Sequence, residues 1–140
     1  MVKIVLDTNI LLTSISSRSV HHWLFQLILS NKISIAFTNE ILTEYEEIIA
    51  AHWNVSVAAN VVFTLAELAT TQKVDVHFKW NVIKNDPDDN KFVDCAFACN
   101  ADFIVSNDTH FNIVKQVEFP KVIVVSLEEF EQILHAGGFL

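Results

Sequence analysis

Val2-Lys3-Ile4-Val5-Leu6-Asp7-Thr8-Asn9 is the stretch whose reading decides the fold. Val2, Ile4, Val5 and Leu6 make a short apolar run rich in β-branched residues, the pattern of a strand buried on both faces. The run stops at Asp7. Thr8 and Asn9 follow, and their side-chain oxygens suit the capping of a new helix. In an open α/β sheet, ligand groups sit at the carboxyl ends of the central strands. Asp7, a carboxylate at the tip of a first strand, is therefore the first candidate site residue.

Working outward, strand and helix patterns alternate. Ile10 to Ile15 reads as a short helix, broken by Ser16, Ser17, Arg18 and Ser19. Val20 to Leu29 repeats Trp23, Leu24, Leu27 and Ile28 at helical spacing. Ile33 to Phe37 is a second strand. Thr38 or Asn39 caps a helix to about Ala51 with the stripe Ile41, Leu42, Tyr45, Ile48 and Ile49, bordered by Glu44 and Glu46. Residues 55–71 form another helix, and Val74 to His77 a short strand. Lys84 to Asn90 is the one strongly loop-like stretch and leads into an apolar helix from Lys91 to Cys99. Asp102 to Ser106 is a fourth strand, Phe111 to Val117 a short helix, and Val122 to Val125 a fifth strand. Ser126 caps a last helix from Leu127 to about His135, which Gly137 and Gly138 end. This alternation predicts a three-layer α/β/α fold around a parallel five-stranded sheet. No composition shift or repeat divides the chain, so residues 1–140 are expected to form one domain.

Bulk properties narrow the class. Apolar residues make up 51% of the 140 and charged residues 19%, which excludes a disordered chain. Two Gly and two Pro leave room for long regular elements with short connections. No apolar run approaches the roughly 18 residues of a membrane helix, so no membrane contact is expected. The chain opens on a strand without the basic and apolar regions of a signal peptide, which points to the cytoplasm. Cys95 and Cys99 lack partners at zinc-ligand spacing and read as small buried hydrophobes. The net charge of −8 is not the footprint of a protein held to nucleic acid by a basic face. Bound divalent cations would reverse the local sign. Arg18, Lys84 and Lys91 are the cations nearest the acidic positions, and each reads as solvated surface. The six histidines are scattered, and His110 is read as outside the substrate contacts.

Four acids gather where a parallel sheet builds a site. Asp7 follows the first strand and Asp108 the fourth, while Asp88 or Asp89 opens the helix that enters from the same edge. Glu44, or Glu46 beside it, lies one turn or more into the helix after strand two. Each of Asp88, Asp89 and Asp108 also has a plain reading as a helix cap. Asp7 does not, because a buried apolar strand has little structural use for a terminal Asp. Crowded carboxylates repel, and one takes up a proton unless a cation joins them. Oxygen ligands suit Mg²⁺ or Mn²⁺ rather than zinc. Two such ions about 4 Å apart can activate water and steady the leaving oxygen of a phosphodiester. Asp94 falls on the polar side of its helix and is left outside this set. No Ser-His-Asp order or Gly-x-Ser-x-Gly elbow offers a nucleophile. A phosphatase of the haloacid-dehalogenase type needs Asp-x-Asp at the first strand, where this chain has Asn9 in the second place. The Asp and late Lys of a receiver are not evident either.

The chain resembles the PIN domain, and in particular the toxin-like PIN proteins of prokaryotic toxin–antitoxin pairs. The resemblance rests on Leu-Asp-Thr-Asn at 6–9, Glu-Ile-Leu-Thr-Glu-Tyr at 40–45, Asp-Pro-Asp-Asp-Asn-Lys-Phe at 86–92 and Ile-Val-Ser-Asn-Asp at 104–108. It implies a sheet of order 3-2-1-4-5 and a metal-binding catalytic quartet of Asp7, Glu44, Asp89 and Asp108. It selects Glu44 over Glu46 and Asp89 over Asp88. It implies that Asn9 orients Asp7 and that Ser106 replaces the hydroxyl residue preceding the last acid. Many relatives carry Thr-Gly or Thr-Arg where this chain has Ser106-Asn107. The implied activity is an Mg²⁺- or Mn²⁺-dependent endoribonuclease leaving a 5′-phosphate and a 3′-hydroxyl. The implied partners are RNA, an antitoxin and a second copy in a homodimer. The alternative is a catalytically silent PIN scaffold that binds RNA or a protein partner.

Overall fold

The chain was described from a computed structural model, which covers residues 1–84 and 86–140; Asn85, in the loop-like stretch, lies outside the described residues. The Val2 to Leu6 run forms β1 (Lys3–Leu6), and Ile4, Val5 and Leu6 have no accessible surface. Such burial requires neighbours on both edges and both faces. The edges are β2 (Ser34–Phe37) and β4 (Phe103–Val105), each parallel to β1. The outer strands are β3 (Gln72–Lys73), beside β2, and β5 (Val124–Val125), beside β4. All pairs are parallel and the order is β3-β2-β1-β4-β5, as expected.

Helices α1 (Thr8–Ile15), α2 (His22–Leu29), α3 (Asn39–His52), α4 (Val55–Glu67), α5 (Asn90–Ala98) and α6 (Leu127–Ala136) complete the three-layer α/β/α arrangement. Their caps follow the sequence. The Thr38 hydroxyl accepts from the backbone of Ile41, and Ser126 and Glu129 form a reciprocal capping box. Cys95 and Cys99 are buried free thiols. Among the described residues no helix is long and apolar enough to cross a membrane.

Several boundaries depart from the sequence reading, each for a local reason. Thr8 does not cap α1 but is already helical. The Asp7 carbonyl accepts from Ile10 and Leu11, and the Thr8 hydroxyl is used elsewhere. α4 ends at Glu67 rather than at 71, because threonines after it draw the backbone away from helical bonding. The Thr71 hydroxyl donates to the Leu65 carbonyl at 2.5 Å, and the Thr70 carbonyl accepts from the Ser34 hydroxyl. β3 therefore pairs at Gln72–Lys73 instead of Val74 to His77, which lie outside the ladder after one bond from Val74 to Phe37. Residues 109–116 are 3-10 rather than α, and a 3-10 turn at Pro87–Asp89 precedes α5.

Two buried side chains lock the fold around the edge where the acids lie. The Tyr45 hydroxyl donates to the Leu6 carbonyl at 2.7 Å, which fixes α3 to the end of β1. Asn90 accepts from the Ile83 N–H at 2.7 Å and donates to the Ile83 carbonyl at 2.8 Å. This pair of bonds substitutes for a strand partner and holds the connection before α5 against that helix. Asn90→Ala would leave both buried groups of Ile83 unpaired and is expected to destabilise the protein by about 2–4 kcal/mol. Urea unfolding measures this, and a loss below about 1 kcal/mol would show that the clamp carries little.

Candidate metal centre

The register Leu6↔Val105 puts the residues after β1 and β4 at the same edge of the sheet. Asp7 donates its backbone N–H to the Val105 carbonyl at 3.1 Å. The Ser106 hydroxyl donates to Asp7 Oδ2 at 2.7 Å and accepts the backbone N–H of Asp108 at 3.0 Å. One buried hydroxyl thus fixes the first acid and the chain turn that presents the last. Asp108 Oδ1 accepts the N–H of His110 at 2.9 Å, so its helix-capping role is also realised.

The third acid arrives from the start of α5. Asp89 Oδ2 is buried and has no hydrogen-bond partner. His110 Nδ1 lies 3.6 Å from it, 3.4 Å from Asp86 Oδ2 and 3.5 Å from Asp108 Oδ1. Ligand atoms of Asp86, Asp89 and His110 all lie within 4.8 Å of one another. Glu44, inward on α3 while Glu46 is exposed, is engaged through both oxygens. Oε1 meets Lys91 Nζ at 2.9 Å and Oε2 accepts the Thr8 hydroxyl.

The electrostatics follow from this crowding. Burial pushes the Asp7 carboxyl up from its ordinary value, and the charges of Asp108 and Glu44 push the same way against the Ser106 hydrogen bond. Asp89 is raised to about 6, first by burial and then by Asp86, Asp7 and Asp108. Asp88 is lowered, chiefly by its bond to Lys91. Asp7, Asp89 and Asp108 therefore act on one another as a single charged cluster, with Glu44 acting on Asp7.

Asn9 is exposed and lines a cavity of about 280 Å³ with Asp7, Asn107 and Asp108; the side-chain bond on Asp7 comes from Ser106. Lys91 corrects the sequence reading. It is 8% exposed, not solvated surface, and lies within the cluster. Arg18 and Lys84 are exposed as expected. Asp94 is also buried rather than on a polar face, because the 78–80 segment folds over it and the Trp80 N–H donates to Oδ1 at 3.0 Å. Asp86, Lys91, Thr8 and His110 are the neighbours that spacing alone did not select. The Asp-Pro-Asp-Asp run was a signal for Asp86, and Lys91 stood near the acids in sequence though it read as solvated; Thr8 carried no signal of a role at the site.

Oxygen donors dominate this set, with one imidazole at its rim. An orphaned buried carboxylate oxygen among charged neighbours fits a hard divalent cation. Among the described residues the ligand atoms that converge are those of Asp86, Asp89 and His110, and the charges of Asp7 and Asp108 act on Asp89 from beside them.

Comparison with known families decides the lineage: the PIN domain matches residues 3–110. The chain belongs to the PIN domain family. PIN domains are generally nucleases and typically depend on a divalent metal. The fold is shared with VapBC2 from Rickettsia felis, solved bound to a DNA fragment from its promoter, at TM-score 0.61 and 17% identity over 89% of this chain and 98% of that one. It is shared with FitAcB from Neisseria gonorrhoeae at TM-score 0.51 and 16% identity, over 86% of this chain and 95% of that one. No curated protein matches in sequence.

The raised Asp89 pKa gives a signed prediction. Between the ordinary value of 3.8 and about 6, the metal-free PIN domain takes up a proton at Asp89 on folding. As pH rises through that window the metal-free fold loses stability, and above it Asp89 is held charged at a cost. Asp89→Asn is therefore expected to raise the melting temperature of metal-free protein by a few degrees near neutral pH. Near pH 4 the gain should vanish. An equal effect at both pH values would show that Asp89 is not desolvated among like charges.

Proposed function

We propose that this PIN domain is a divalent-metal-dependent endoribonuclease and the toxin of a toxin–antitoxin pair. The observation that carries the reading is the orphaned, buried Asp89 oxygen, grouped with Asp86 and His110 and under the charges of Asp7 and Asp108. A divalent cation would supply the partner that this oxygen lacks.

In this reading Asp7, Asp89 and Asp108 would hold Mg²⁺ or Mn²⁺, and Glu44 would complete the acidic ring. The ion, when bound, supplies Lewis-acid polarisation of a phosphodiester and lowers the pKa of the attacking water. The chain's own groups orient and neutralise. Ser106 holds Asp7 in one rotamer through its 2.7 Å bond and steadies the Asp108 turn. Asn9, at the mouth of the cavity beside Asp7, is placed to touch substrate. Lys84 and Arg18, both exposed, are the basic residues offered to an RNA backbone. Hydrolysis would leave a 5′-phosphate and a 3′-hydroxyl, as the resemblance to toxin-like PIN proteins implies. The same resemblance implies an antitoxin covering the acidic cleft, a homodimer and a place in the cytoplasm. The fold shared with VapBC2 and FitAcB supports the toxin reading. Residues 1–140 act here as one nuclease domain.

Single-stranded RNA incubated with the protein and Mg²⁺ or Mn²⁺ should be cut, and Asp7→Asn should lose at least about a hundredfold in rate. Equal traces from both proteins would point to a contaminant and leave the silent scaffold standing. Millimolar Mg²⁺ or Mn²⁺ should also raise the melting temperature of the wild type by mass action. Asp7→Asn should lose most of that response, and a wild type without any shift would remove the metal site from the free protein.

A further inference from the structure

Lys91 is the one buried ammonium of the site, with a side chain 5% exposed. Three oxygens converge on its Nζ: Glu44 Oε1 at 2.9 Å, Asp88 Oδ2 at 2.9 Å and the Asp88 carbonyl at 2.7 Å. These contacts give the ammonium oxygen partners inside the site, two of them carboxylate oxygens. The other Glu44 oxygen is taken by the Thr8 hydroxyl. Two carboxylates and a carbonyl around one point form the oxygen set that a hard cation takes, and here the protein's own cation fills it.

The acidic region is thus divided. On one side Asp7, Asp89 and Asp108 have no Lys or Arg among them, and Asp89 Oδ2 has no partner. On the other, Glu44 and Asp88 share the single positive charge of Lys91. Among the described residues every ion pair of the protein runs through Lys91 or His110. A second divalent ion beside Glu44 would have to displace an ammonium that three oxygens hold, and like charges at that distance exclude one another.

We infer that Lys91 is a resident cation standing in the place of a second metal ion, so that this centre binds one divalent ion and Glu44 serves as the seat of Lys91 rather than as a ligand. The inference rests on the nuclease reading above for the first ion. It makes Lys91 and Glu44 positioning residues. The fixed charge balances the cluster on the α3 side and leaves Asp7, Asp89 and Asp108 to the single ion. It also accounts for a Lys inside an acidic site on a chain with only nine Lys and Arg.

The test counts Mn²⁺ bound per full-length chain by electron paramagnetic resonance titration. Wild type should bind about one uncoupled ion, and Lys91→Arg, which keeps the charge, about one. Lys91→Met keeps the stem, removes the charge and frees the three oxygens, so it should bind about two ions and gain more thermal stability from Mn²⁺ than wild type does. Should Lys91→Met fold only with Mn²⁺ present, that rescue supports the inference. The double variant Lys91→Met/Glu44→Gln removes both charges of the pair, so it should fold without metal and return to about one ion. A folded Lys91→Met that still binds one ion, or a wild type that binds two coupled ions, overturns the inference and leaves the nuclease reading intact. A wild type that binds no Mn²⁺ overturns the metal centre itself, and this inference with it.

Discussion

The parallel pairing of β1 with β4 is the constraint on which the site depends. These strands are far apart in sequence, and their ladder sets Leu6 against Val105. A one-residue slip would turn Asp7 to the opposite face and break the Ser106 bond. The register is held because Ile4, Val5 and Leu6 are buried, so no shifted pairing keeps the same residues dry. Once it is set, two separate chain segments deliver carboxylates to one edge without any loop having to find its place. The start of α5 then brings the third acid over that edge, with Asn90 fastening the preceding connection to the helix.

What the fold gathers it must also neutralise, and it does so unevenly. Lys91 answers Glu44 and Asp88 with a buried charge. His110, half-exposed, lies within 3.4–3.6 Å of Asp86, Asp89 and Asp108. That distance is too long for hydrogen bonds and short enough for a protonated ring to compete with a divalent ion. Asp7 has a single hydroxyl, and Asp89 Oδ2 has no hydrogen bond. The gradient from satisfied to orphaned oxygen runs across the cluster and ends where the cation is proposed to sit.

The sequence made the scaffold legible and the fine wiring much less so. Apolar run and terminal Asp at 2–7 and capping Ser126 are short-range patterns with a physical cause, and both appear as read; of the helical stripe at 41–49, Ile41, Tyr45 and Ile49 are buried and Ile48 is exposed. The sheet order, and the choice of Glu44 over Glu46 and Asp89 over Asp88, came from family resemblance, since local periodicity does not encode which strands become neighbours. β3 was misplaced because Thr70 and Thr71 spend their polar groups on tertiary bonds that no local pattern announces. Lys91 was misread for a similar reason. A lysine after an acidic run looks solvated, and only the approach of α3 to α5 buries it. Thr8 was read as a cap because its partner, Glu44, is remote in sequence.

The unpartnered oxygen of Asp89 ties the persistence of the chain to its ionic surroundings. A folded state that carries an unmet charge at its edge opens more often than one whose charges are met, and the opened form is what proteases cleave. In the proposed reading, the molecule deprived of divalent ions would be the shorter-lived form. An ion, or any basic group presented by a partner, that settled on that oxygen would lengthen its survival by making opening rarer.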